Sequence, residues 1–205
     1  LRDALKHENV KLVSNAKVLR LNAAKNGKEI TSLDVNYGDS IITIKPKLVV
    51  VSAGAVNSAA LLLRSADSQN PRGLSNSSGM VGGNYMSHHC TFLMMVDPSE
   101  INDAVYQKTV SINEFYLGGG IGDSPLGHVQ MCGKITPPMV QGIYSWLPEY
   151  PLKWLCSHSV DWFLVTEDLP VPDNRLIVDS RDRIRFSLTR PNYSSHVELV
   201  QKMKE

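Results

Sequence analysis

The chain has 205 residues, of which 42% are hydrophobic, so it can bury a sizeable core in one large or two small domains and is not a disordered protein. Its 21 basic and 20 acidic residues leave a net charge of +1, which excludes the strongly basic surface typical of nucleic-acid-binding proteins. No apolar run approaches the roughly 18 residues of a membrane-spanning helix, so no transmembrane segment is predicted.

The first quarter of the sequence predicts a short helix that stops near Asn9, followed by a β-meander. Alternation of apolar and polar residues predicts the strands, and Asn26-Gly27 and Gly38-Asp39 supply turn signals. The strands are predicted over residues 10–13, 18–21, 30–37 and 41–44.

The meander leads into Val49–Val51, an apolar β-branched run of the kind expected in a strand buried on both faces. The next residues, Ser52, Ala53 and Gly54, are small and let the main chain come close to a ligand. This pattern predicts a strand that delivers a tight turn to a cofactor, although a strand and turn that serve only as scaffold remain an alternative.

A helix is predicted to follow this turn and to run through Leu61–Leu63, with Asn57 or Ser58 as its N-cap. Its first N–H groups and the positive end of its dipole would then face the crevice beyond the strand, where an anion or a flavin would fit. Residues 1–65 carry ten basic and five acidic side chains, which suits a diphosphate but is equally typical of a solvated surface.

The rest of the chain has a loop-like passage over residues 65–83 and then the pattern of an antiparallel sheet. Ser195 with Glu198 resembles a capping box at the start of a terminal helix, with Val197, Val200 and Met203 on one face. Strands are predicted over residues 91–96, 110–117, 128–135, 162–167, 175–178 and 184–188.

Several of these segments together resemble the second signature region of the glucose-methanol-choline (GMC) family of flavin oxidoreductases. They are Ser52–Ser58, Leu61–Ser65, Gly73-Leu74 and Val81–Asn84 with His88. Glu167–Pro170 followed by Asp173–Leu176 also resembles a recurring segment of bacterial members of this family. The sequence departs from the family pattern at Ala59, at Ala66–Ser68 and at Gly83, where many members have arginine.

The resemblance implies an α/β (α+β) fold with two parts. Residues 1–89 would belong to a Rossmann-like FAD-binding domain and residues 90–205 to a substrate-binding domain with an antiparallel sheet. The implied cofactor is FAD. The implied contacts are the backbone of Val18 at the adenine, the turn and helix start at Ser52, Ala53, Gly54, Asn57 and Ser58, and Asn84 near the flavin.

The resemblance also implies hydride transfer from a CH–OH group of a sugar, polyol or other alcohol to the flavin. The family's proton acceptor comes from a later part of the chain, so no catalytic residue is assigned here. The sequence is interpreted as an internal fragment that is inactive on its own. The alternatives are a non-enzymatic α/β interaction module and a subunit of a membrane-associated dehydrogenase complex with an electron-accepting partner.

The histidines and cysteines suggest a metal site only weakly. Neighbouring pairs such as His88-His89-Cys90 and Cys156 with His158 match no recognised spacing of zinc ligands, so no metal is predicted. The three cysteines are widely spaced and indicate no disulfide framework, which favours a reducing compartment such as the cytoplasm.

Overall fold

The computed structural model describes residues 2–105 and 108–205 and has the mixed α/β composition predicted from the sequence. The strands are β1 (Ala16–Ala23), β2 (Ile30–Tyr37), β3 (Ser40–Ile44), β4 (His89–Val96), β5 (Ser111–Ile112), β6 (His128–Met131), β7 (Ser159–Thr166), β8 (Arg175–Val178) and β9 (Ile184–Ser187). The α-helices are α1 (Gly54–Arg64), α2 (Glu114–Leu117), α3 (Pro137–Ile143), α4 (Glu149–Ser157) and α5 (Tyr193–Lys202). Within the described residues no helix is long and apolar enough to cross a bilayer.

The chain divides into two compact units. Unit 1 is Leu1–Tyr85 with Pro170–Thr189, and unit 2 is Met86–Leu169 with Arg190–Glu205. The chain therefore leaves unit 1 and returns to it for the β8–β9 hairpin. That residues 1–89 and 90–205 are the FAD-binding and substrate-binding domains stays a prediction.

Unit 1 contains an antiparallel sheet of order β1-β2-β3 and the separate β8–β9 hairpin. Strand β2 has the predicted bounds, and Gly38 makes the turn to β3 at φ +60°. Helix α1 packs on β1 and β8, and its Ala60 is fully buried. The buried Ser65 hydroxyl accepts from Leu21 N at 2.9 Å and donates to the Leu61 carbonyl at 2.7 Å, so it ties the end of α1 to β1.

The predicted strand at residues 10–13 is wrong. Within the part of the chain that the structure describes, no strand pairs with this segment. It is irregular, and its Leu12 is 61% exposed. The predicted first helix is a single 3-10 turn, Ala4–Lys6.

Unit 2 is built on a four-stranded antiparallel sheet of order β4-β7-β6-β5. Its core consists of Leu126, Val129, Leu164, Leu199 and Met203. The single strand predicted over 110–117 is wrong, since only Ser111–Ile112 is a strand and Glu114–Leu117 is helical. Helix α2 follows Asn113, whose residue type is favoured at an N-cap, and begins with the acidic Glu114, which suits the positive end of the helix dipole.

Helix α5 begins two residues before the predicted capping box. Its N-cap is Asn192, and the Ser195 hydroxyl donates to Asn192 Oδ1 at 2.8 Å instead of capping the helix itself. The predicted apolar face is also wrong in part, because Val197 is 52% exposed. The buried face contains His196, Leu199 and Met203, which follow the helical spacing of three and four residues.

The imidazole of His196 attaches α5 to two strands of the sheet. Its Nε2 lies 2.8 Å from the Thr91 hydroxyl on β4, and its Nδ1 lies 3.0 Å from the Thr166 hydroxyl on β7. Burial, and after it the nearby His89 imidazole, lowers the pKa of His196 below its usual value. His89 in turn lies 3.6 Å from Asp168 Oδ1 and packs edge-on against Tyr193.

We expect unit 2 to lose stability in mild acid because of His196. The unfolded chain takes up a proton near pH 6.5, whereas the folded chain resists protonation, so this contribution is present above about pH 6.5 and declines as the pH falls below it. Urea titrations followed by tryptophan fluorescence at pH 5.5 and 7.5 measure the difference. The variant His196→Gln should show a smaller difference between the two pH values. A pH dependence identical to that of the wild type would contradict the assignment to His196.

Candidate functional site

The small-residue turn predicted after residue 51 is present in unit 1, but the strand before it is not. Val49–Val51 is not assigned to a strand, and Val50 is 77% exposed. A strand buried on both faces needs neighbouring strands, and within the described residues none pairs with this segment. The turn itself reaches Gly54, whose φ of +76° is a conformation that glycine adopts without steric cost.

The predicted N-caps of α1 are wrong. The helix begins at Gly54 with Ala53 as its N-cap, so Asn57 and Ser58 lie about one turn inside it. The Ser58 hydroxyl instead accepts a hydrogen bond from the Ala53 N–H at 3.1 Å. Ser58 therefore stabilises the turn through a hydrogen bond to its backbone. A side chain added at Gly54 would point into open space, since no atom lies within 4 Å of the position that its Cβ would take.

A hollow of about 560 Å³ lies beside this turn, entirely within unit 1. Four of the residues predicted to bind a cofactor line it: Val18, Ser52, Ala53 and Asn57. They come from β1, from the small-residue turn and from the first turn of α1. Gly54 and Ser58 adjoin these residues in sequence without lining the hollow.

Two basic side chains, Lys17 and Arg64, also line this hollow. Arg64 Nε lies 2.6 Å from Asp182 Oδ1, and its Nη2 donates to the Asp182 carbonyl at 2.9 Å, so its guanidinium is held by the β8–β9 turn. Lys17 is exposed, and no acidic residue stands in the first turn of α1. Asp182 offsets the charge of Arg64, so Lys17 and the positive end of the α1 dipole are the features that favour a ligand with negative charge.

The residues of the hollow fit the nucleotide part of a dinucleotide cofactor. Its volume lies within the range of roughly 300–1,000 Å³ found for small-molecule sites. Val18, Leu21 and Leu61 offer an apolar surface to a flat base, and Ser52 and Asn57 offer hydrogen-bonding groups for a ribose or phosphate.

Asn84 does not line this hollow. It occupies a turn at φ +52°, where Gly83 N donates to the Met80 carbonyl and Tyr85 N to the Asn174 carbonyl. The preceding Gly82 lies so close to β8 that an added Cβ would come 2.5 Å from the Leu176 carbonyl oxygen. The turn is thus fixed by packing on β8, a contact between distant residues that spacing along the sequence does not reveal.

The described residues contain no group of three or more metal-ligand side chains placed to hold an ion. The three cysteines, Cys90, Cys132 and Cys156, are free. Burial, and after it the charge of Asp161, raises the pKa of the Cys132 and Cys156 thiols, so both remain protonated near neutral pH.

Comparison with known proteins gives a family match for the first part of the chain and two relatives over most of it. Residues 1–90 match the family model described as GMC oxidoreductase. The chain is 29% identical to 2-methyl-1,2-propanediol dehydrogenase of Mycolicibacterium austroafricanum over 193 residues, which cover 84% of this chain and 34% of that protein. It is 27% identical to the fructose dehydrogenase large subunit of Gluconobacter japonicus over 167 residues, which cover 76% of this chain and 30% of that protein.

The chain spans about a third of the length of the curated relatives it matches. The matched family region contains the whole of the turn, helix α1 and the Val81–Asn84 turn. With the likeness to two dehydrogenases over most of its length, this match makes the chain similar to GMC oxidoreductases.

Proposed function

We propose that the chain forms part of an FAD-dependent oxidoreductase that acts on the CH–OH group of a sugar, polyol or other alcohol. The match of residues 1–90 to the GMC oxidoreductase family supports the reaction class. The observation that carries the cofactor assignment is the hollow beside the Ser52–Gly54 turn, where residues from three segments of unit 1 converge.

The residues of unit 1 have distinct roles in this proposal. Val18 and the turn Ser52, Ala53 and Gly54 hold the nucleotide part, and Asn57 supplies a side-chain amide. Ser58 supports the turn through its hydrogen bond with the Ala53 N–H. Asn84, apart from this hollow, remains a proposed contact of the flavin ring. When bound, FAD would supply a hydride acceptor. No residue of this chain is assigned as the catalytic base.

A second candidate adds a protein partner. The likeness to a fructose dehydrogenase large subunit favours an oxidoreductase that passes electrons to another subunit. Flavin reduced by an alcohol and then rapidly reoxidised by oxygen alone would argue against a need for such a partner. The non-enzymatic alternative has a simpler signature, since an interaction module would not bind FAD.

Replacing Gly54 with leucine is expected to weaken FAD binding to the chain at least about tenfold, or about 1.4 kcal/mol, because leucine at a φ of +76° strains the turn and disturbs the adjoining Ala53, which lines the hollow. Equilibrium dialysis against FAD measures the change. Gly38→Leu is the matched control, since Gly38 also has positive φ and open space around its Cβ position but lies in the β2–β3 turn. Equal losses in both variants, or none in Gly54→Leu, would contradict the proposed site.

A further inference from the structure

Unit 1 contains a second hollow, of about 480 Å³, that shares no lining residue with the hollow beside the Ser52–Gly54 turn. It is lined by the end of α1, by the loop that follows this helix and by strand β8. Two arginines line it, Arg72 from the loop and Arg175 from β8. In the part of the chain that the structure describes, none of its lining residues is acidic. The hollow therefore has two positive charges and no negative charge of its own.

Both guanidinium groups reach the same residue of the loop, Gly79. Arg175 Nη2 donates to the Gly79 carbonyl at 2.9 Å. Arg72 Nη1 lies 3.4 Å from the position that a Cβ of Gly79 would take, and Arg72 Nη2 donates to the Ser77 carbonyl at 2.6 Å. Two like charges held close together repel each other, and an anion bound between them removes that repulsion.

Each of the two guanidinium groups has hydrogen-bond donors to spare. An arginine side chain carries five N–H donors, and each of these two uses one of them on a backbone carbonyl. Among the described residues no carboxylate forms an ion pair with either of them. By contrast, Arg64, Arg183 and Arg185 of the same unit each pair with an aspartate. The unused donors of the hollow are thus available to an anionic ligand.

The backbone that carries the two arginines is held in place by hydrogen bonds. Asn76, which is 6% exposed, donates from Nδ2 to the Arg72 carbonyl at 2.6 Å and accepts at Oδ1 from Val81 N at 2.9 Å. Leu176 N donates to the Gly82 carbonyl at 2.7 Å, which ties β8 to the end of the loop. A site that is ordered before its ligand arrives loses little entropy when the ligand binds.

The charge and shape of the site favour a phosphate over a carboxylate. A single carboxylate has one negative charge, and one arginine fork satisfies both of its oxygens. A phosphate monoester has a charge of about −2 and three free oxygens, so it can bind two guanidinium groups at once. The other lining residues, which include Leu63, Val81 and Leu176, offer an apolar surface to a carbon skeleton. The volume suits a small molecule.

We propose that this hollow of unit 1 binds a small phosphate monoester, with its phosphate on Arg72 and Arg175 and its carbon skeleton on the apolar lining. The inference does not depend on the proposed function, because the two hollows of unit 1 have no lining residue in common. It adds a second ligand, distinct from FAD, to this unit.

An amide NMR titration of the 205-residue chain with phenyl phosphate at pH 8 tests the proposal. The wild type should show saturable chemical-shift changes at residues 76–81 and 175–178, with Ser52–Gly54 unaffected. Benzyl alcohol, which has the ring without the anion, should not produce these changes at the same concentration. Sodium benzoate should bind about tenfold more weakly than phenyl phosphate, because it engages one arginine fork.

The variants Arg72→Met and Arg175→Met each remove one guanidinium and should each weaken phenyl phosphate binding about tenfold. Arg175→Lys keeps the charge but loses the planar fork, so it should weaken binding several-fold. Arg2→Met is the control, since Arg2 is exposed, does not line the hollow and gives the same change in net charge. This variant should bind as the wild type does. Unchanged amide shifts in β2 verify that unit 1 is folded in each variant.

Wild-type affinity in both Arg72→Met and Arg175→Met would overturn the proposal. So would benzoate binding as tight as that of phenyl phosphate, which would show a site for carboxylates. Displacement of phenyl phosphate by FAD, or shift changes at Ser52–Gly54 in place of those at residues 76–81, would show that the phosphate binds in the other hollow and would also contradict it. Tighter binding to phosphatidylcholine vesicles that contain phosphatidic acid would assign the arginines to a lipid headgroup and overturn the small-molecule site.

Discussion

Replacing Leu164 with alanine is expected to destabilise unit 2 by about 3–5 kcal/mol, the range for a leucine deleted from a close-packed core. Leu164 is fully buried on β7, the strand that pairs with both β4 and β6. It packs in one cluster with Val129 of β6 and Leu199 of α5, so the cavity would open between the sheet and the helix.

Urea unfolding followed by tryptophan fluorescence reports this change selectively, because Trp146, Trp154 and Trp162 all belong to unit 2. Leu117→Ala is the control, since Leu117 lies in the same unit and is 81% exposed. It should alter the free energy of unfolding by no more than about 0.5 kcal/mol. If Leu164→Ala unfolded at the same urea concentration as Leu117→Ala, the core described for unit 2 would be wrong.

Gly127→Ala should destabilise the same unit by about 3 kcal/mol, because strain and overpacking act together. Gly127 has a φ of +148°, and a Cβ at this position would collide with the Val165 carbonyl oxygen of β7. The glycine allows the chain to enter β6 directly against β7.

Gly142→Ala provides the contrast for this substitution. Gly142 lies in α3, without a positive φ and with open space around its Cβ position, so alanine should leave stability unchanged or raise it by about 0.5–1 kcal/mol. Equal unfolding midpoints for the two glycine variants would show that the close approach of β6 and β7 does not constrain Gly127.

The elements that the sequence predicts best are those set by local signals. Strands β2 and β8 have the predicted bounds. In each case the apolar run marks where the strand begins, and the turn residues that follow mark where it ends. Helix α1 is also predicted, since a run of apolar helix-forming residues follows small ones. The predicted N-cap of α1 is wrong because Ser58 lies inside the helix and accepts its hydrogen bond from the Ala53 N–H there. From the sequence alone, a serine at the N-cap cannot be told from a serine in the first turns of the helix.

Predictions that depend on distant neighbours are less successful. Val49–Val51 has the composition of a buried strand, but composition does not supply the strands that would cover it. Val18, Ser52, Ala53 and Asn57 do line one hollow, because α1 returns along β1 and is fixed there by Ser65.

The contacts of the Asn84 turn with β8 and the attachment of His196 to Thr91 and Thr166 join residues that lie far apart along the chain. Neither leaves a periodic signal in the sequence.

An amide NMR titration of the chain with FAD tests the central claim most directly, namely that the turn ending at Gly54 binds the nucleotide part of this cofactor. The account predicts chemical-shift changes concentrated at Val18, at Ser52, Ala53 and Gly54, and at Asn57, with the β2–β3 turn unaffected. Saturating FAD that shifts none of these amides, or that shifts only amides of unit 2, would contradict it.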